Sequence, residues 1–138
     1  MTNFDLRETE QHGFVNKQLR AHLGRTIMAD DLGMLFATCE TSATVDDYRK
    51  AIIDENVLLK KSSGARVESF RRLKQIYSLD SSKIIFCAMR ELWDYTTLGH
   101  NLLSILCAIA RDPILRSTVQ LILEMPEGSA LTAKTLNG

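Results

Sequence analysis

The sequence is poor in the residues that most often interrupt regular structure: two prolines, Pro113 and Pro126, and seven glycines that all stand singly. So little punctuation excludes a collagen-like or low-complexity chain and any glycine-rich phosphate loop, and it leaves long stretches free for regular elements. The three cysteines, Cys39, Cys87 and Cys107, are far apart and lie in apolar surroundings. An odd, widely spaced set without a CxxC pair excludes a zinc or redox motif and fits a reduced, cytoplasmic setting. His12, His22 and His100 share no metal-ligand spacing with each other or with the cysteines, and there is no HExxH element, so neither a metal nor another cofactor is expected.

Neither a secretory leader nor a membrane span is expected. Met1 to Glu10 is polar and charged, without the apolar centre of a signal peptide. The longest strongly apolar stretch, Leu102 to Ala110, is about half the ~20 residues that cross a bilayer. No excess charge of either sign exists, since 17 Lys and Arg balance 17 Asp and Glu; net charge alone therefore draws the chain neither to DNA nor to an anionic membrane. Catalysis also lacks a foothold. Each cysteine falls on an apolar stripe, where an inert thiol is expected. Asp46 and Asp47 fall at a helix start, where capping and the helix dipole account for them. The chain is read as a non-enzyme.

What the sequence does have is apolar residues recurring every three and four positions, which predicts an all-α, compact domain of about six or seven helices. Residues 1–26 form an N-terminal segment whose Phe14, Val15, Leu19 and Leu23 give one short helical stripe ending at Gly24. The helical domain spans 27–125. Its first helix starts near Met28 and buries Leu32, Leu35, Phe36 and Cys39; the next opens on a Thr44–Asp47 capping box and buries Val45, Tyr48, Ala51 and Ile52. After Val57 to Leu59, the serines Ser62 and Ser63 offer an N-cap for a helix burying Val67, Phe70, Leu73, Ile76 and Tyr77. Ser81 or Ser82 is expected to cap a helix burying Ile85, Ala88, Met89, Leu92 and Trp93. Leu98, Leu102, Leu103, Leu106, Cys107 and Ala110 spread around a helix that reads as a central post, and Asp112–Pro113 starts one that buries Ile114, Leu115, Val119, Ile122 and Leu123. Residues 126–138, with a helix beginning at Ser129, read as the cut-short start of a C-terminal region.

Charge is segregated within this neutral chain. Residues 28–56 hold seven acids against Arg49 and Lys50, whereas 57–77 hold six bases against Glu68 alone. Lys60, Lys61, Arg66, Arg71, Arg72 and Lys74, with Ser63 at the helix start, are the candidate phosphate contacts. Long cations neutralise phosphates, and a helix N-terminus donates free N–H groups. Two alternatives stay open: the cations face the preceding acidic helix and form intramolecular or surface ion pairs, or the two charged stretches dock to other subunits or to each other in a symmetric dimer. The helices either side of residues 56–62 are like a helix-turn-helix with a connection longer than the usual three or four residues.

The run ENVLLKKSSGARVESFRRLKQIY, Glu55 to Tyr77, resembles the signature of the BrxA family of bacteriophage exclusion (BREX) systems, and ARDPILRSTVQLILEM, Ala110 to Met125, is similar to that family's aspartate-proline segment. The resemblance covers most of residues 27–125. It implies a cytoplasmic, all-helical accessory factor of phage defence with a fold like the NusB helical group. It further implies double-stranded DNA and other defence proteins as partners, with RNA a third choice. Ser117 and Thr118 stand where the family carries an acidic and aromatic pair. That difference and the zero net charge imply modest affinity.

Overall fold

Hydrogen-bonding side chains open three of the helices in the computed structural model, which describes residues 6–16 and 27–130. The described residues form seven α-helices and no strand: α1 (Leu6–Gln11), α2 (Ala29–Thr38), α3 (Val45–Arg49), α4 (Ser63–Tyr77), α5 (Ile84–Trp93), α6 (His100–Arg111) and α7 (Pro113–Glu124). A π-helical turn, Lys50–Asp54, continues α3. The expected all-α class is what is seen.

The capping box is complete: the Thr44 N–H donates to Asp47 Oδ2 at 2.8 Å and the Asp47 N–H donates to Thr44 Oγ1 at 3.3 Å. The bond from the Thr44 N–H to its carboxylate holds the Asp47 carboxyl below its ordinary range. Ser62 accepts the Ala65 N–H to start α4. Asp112, buried between two helices, accepts the N–H groups of Ile114 and Leu115 at the start of α7. The expected serine cap on α5 does not form. Asp80 takes both the N–H and the hydroxyl of Ser82, and α5 starts after Lys83 without a side-chain cap.

The core is aromatic. Phe36 of α2 lies 6.1 Å from Tyr48, 5.9 Å from Phe86 and 5.2 Å from Trp93, ring centre to ring centre, all tilted or edge-on, the arrangement that favours aromatic pairs. Leu32, Leu35, Ile52, Leu73, Tyr77 and Leu79 close around this cluster with no exposed surface. Arg90 is buried beside it. Its guanidinium stands 4.7 Å from the centre of the Phe36 ring, donates to the carbonyls of Phe36 and Cys39 at the end of α2, and pairs with Asp94 at 3.1 Å. A cation there completes α2, whose last carbonyls have no helical partner.

Several expected inward faces are rotated. In α5 the buried residues are Phe86, Met89, Arg90 and Trp93; Ala88 and Leu92 point outward because the i, i+3, i+4, i+7 set containing the aromatics takes the core side. In α4, Val67 is exposed and Ser69 takes the inward place. The largest departure is α6. It packs against α2, α4, α5 and α7 as a central post should, but not through the expected leucines: Ser104, Cys107, Ala108 and Ala110 are buried, whereas Leu102, Ile105 and Leu106, with Leu98 just ahead of the helix, are exposed. Small residues let the neighbouring helices come close, so they take the packed side. Helix α7 has no buried residue, and Ile114, Ile122 and Leu123 face solvent.

Phe14 and Val15, expected at the start of a short helical stripe, are not helical: α1 lies earlier, and Gly13 to Asn16 are non-helical. This segment is stitched to the body through its backbone. His12 and Gly13 carbonyls accept from the Ile85 N–H and Arg111, and Val15 exchanges hydrogen bonds with Ala110 and Arg116. Gly13 has φ +109°, and a Cβ there would meet the Cβ atoms of Ile85 and Lys83 at 3.4 Å. Leu19 and Leu23 lie outside the described residues, as does the rest of the helix expected from Ser129, itself non-helical. No helix among the described residues is long and apolar enough to cross a membrane.

Candidate nucleic-acid interface

At about 100° per residue, Ser63, Val67, Arg71 and Lys74 fall on one stripe of α4, opposite Leu73, Ile76 and Tyr77, which are buried in the core. The stripe is the solvent face: Ser63, Gly64, Val67, Arg71 and Lys74 are all exposed, and Arg72 is exposed on its flank. Lys61 is exposed just before the Ser62 cap.

The seven sequence candidates divide into two groups. Lys60 and Arg66 belong to the framework. The Lys60 ammonium pairs with Asp31 of α2 at 3.1 Å. Arg66, on the inner side of α4, donates to the Ile53 carbonyl in the π turn, and its Nε is buried without a partner. Arg71 and Arg72 remain on the surface but share one carboxylate. Arg71 donates twice to Glu68, at 3.0 and 2.6 Å, and Arg72 once, at 2.9 Å. These bonds hold the Glu68 carboxyl down at about 2. Neither Lys61 nor Lys74 has an ion pair among the described residues. Two guanidinium groups against one carboxylate, plus two unpaired ammonium groups, leave the face cationic.

The alternative of intramolecular ion pairing is met by Lys60, whose acid comes from α2 rather than α3, and by Arg71 and Arg72, whose shared acid lies on α4 itself. Glu68 is the residue whose weight the sequence reading missed. Its i, i+3 and i, i+4 spacing to Arg71 and Arg72 is the signal that could have revealed it. Leu59 was also passed over. It is three-quarters exposed, in a left-handed conformation with φ +55°, ahead of the two lysines. Glu55 to Ser62 separates the π turn from α4, so the pair is joined by a loop and not by a helix-turn-helix turn.

Elsewhere, burial pushes the Cys107 thiol up to about 12 and the Tyr48 hydroxyl up to about 12. No group of three or more His, Cys, Asp or Glu able to hold a metal occurs among the described residues. Comparison of the chain with protein-family models, curated proteins and solved structures gives no significant match.

Proposed function

We propose that the chain is a non-enzymatic, cytoplasmic accessory protein that binds double-stranded DNA through the solvent face of α4, in a defence complex of the kind its BrxA-like sequence runs imply. The observation that carries this reading is the outward row of Lys61, Arg71, Arg72 and Lys74 with Glu68 as its one interspersed carboxylate. Ser63 and the neighbouring N–H groups at the helix start add neutral donors for a phosphate. Lys60 and Arg66 are left out of the interface because Asp31 and the Ile53 carbonyl hold them.

With about four phosphate contacts, log affinity falls against log salt with a slope of about −3.6. Retardation of a duplex across a salt series measures this. Arg71→Glu with Arg72→Glu abolishes retardation while leaving the fold intact; no retardation of the wild-type chain at low salt rules the reading out. Competition between duplex and structured RNA decides between the two polymers.

A second reading has its own observation. Leu102, Ile105 and Leu106 lie on the side of α6 away from the core, exposed Leu98 precedes them just ahead of the helix, and α7 adds exposed Ile114, Ile122 and Leu123. A row of exposed apolar side chains is a feature of protein-docking surfaces, so an adaptor role in the same complex is the rival. Under it, the Arg71 and Arg72 charge reversals leave partner retention intact, and Leu102→Lys with Leu106→Lys removes it.

A further inference from the structure

We infer that Leu59 is an apolar wedge that enters a base step of the bound duplex; the inference rests on the DNA reading of α4. A single exposed leucine is unremarkable on a protein surface, but this one is unusual in two respects. Its φ of +55° is a conformation that a branched L-residue adopts only at a cost, and one that asparagine or glycine would take far more easily. It is also held still. Asn56, itself at φ +51°, clasps the loop from both sides, accepting the Lys60 N–H at 2.8 Å and donating to the Lys60 carbonyl at 3.1 Å. The preceding Leu58 is buried, and the following Lys60 is tied to Asp31. Anchors on both sides therefore present a side chain that is 75% exposed.

Lys61 is within about 7 Å of Leu59 along the backbone, and the start of α4 within about 14 Å, the limits set by chain length. An apolar side chain next to a cation, here Lys61, is a combination by which proteins partly unstack a base step and kink a duplex. Strained backbone is tolerated where surrounding structure holds it, and this loop is so held.

The test uses the full chain and duplexes carrying 2-aminopurine at successive positions, with retardation measured alongside. The expected result is a fluorescence rise at one step, lost in Leu59→Asn and kept in Leu59→Phe, with an unchanged salt slope because no charge is altered. Leu59→Asn also raises the unfolding midpoint, since asparagine relieves the left-handed strain; loss of the signal then cannot come from misfolding. Retardation without any fluorescence rise, or a rise that persists in Leu59→Asn, overturns the wedge and leaves the α4 reading standing. Absence of retardation overturns both. A Leu59→Asn chain that sediments differently from wild type without DNA, with base stacking untouched, assigns the side chain to a protein contact and also overturns the wedge.

Discussion

Helices α5 and α6 are both apolar and adjacent in the chain, yet they use their hydrophobic residues in opposite ways. In α5 the large side chains Phe86, Met89 and Trp93 go inward against Phe36 and Tyr48. In α6 the small residues go inward, and the leucines of its opposite side face solvent. Hydrophobicity alone therefore does not mark the core. What matters is which side chains let the neighbouring helices reach their packing distance, and an apolar stripe left over is available to something else.

The largest effect that would sharpen this contrast comes from paired truncations. Phe36→Ala is expected to cost about 4 kcal/mol in urea unfolding, because it empties the centre of the aromatic cluster. Leu106→Ala should stay within about 0.5 kcal/mol, since that side chain is 55% exposed. Equal losses at the two sites would break the comparison. Next, Arg90→Met is expected to cost about 3 kcal/mol by the same measurement, leaving the Phe36 and Cys39 carbonyls without their donor. A near-neutral result would show that Arg90 is not what completes α2.

Removing the α3 cap is a smaller change. Thr44→Ala is expected to lower stability by about 1 kcal/mol. The capping and clamp carboxyls add a pH dependence whose sign is fixed. Asp47 and Glu68 both titrate lower in the folded chain than ordinarily, so the stability they contribute is present above their ordinary values and is lost as pH falls. For Glu68 the window runs from its ordinary 4.5 down to about 2. Glu68→Gln should flatten that part of the acid unfolding curve and, by releasing Arg71 and Arg72, steepen the salt dependence of DNA retention. The smallest effect is kinetic. In native thiol labelling, Cys107, buried with its thiol pushed up to about 12, reacts after Cys39 and Cys87.

Much of the fold was legible because its signals are local. Thr44 with Asp47, Ser62 ahead of α4, and Asp112 with Pro113 each name a helix start through a side chain that hydrogen-bonds only a few residues away. The aromatic core was legible only in part. Tyr48 and Phe36 lie on simple helical stripes, but burial of Arg90 depends on α2 ending where it does, which no spacing within α5 encodes. The α6 leucines misled for a physical reason: a helix apolar on all sides fits a buried post and an open docking face equally well. In the candidate site, the outward direction of Arg71 followed from periodicity. The loss of Lys60 to Asp31 did not, because that pair joins residues distant in sequence.

Asp112 ends α6 and starts α7 at once, with its carboxylate on two N–H groups of α7, while Arg116 reaches back to the carbonyls of Ile109 and Ala110 and across to Val15. The two rods share one joint residue, and Arg116 is a brace across it. A load on the far tip of α7 is therefore passed to α6 through Asp112 and to the non-helical segment at Val15 through Arg116.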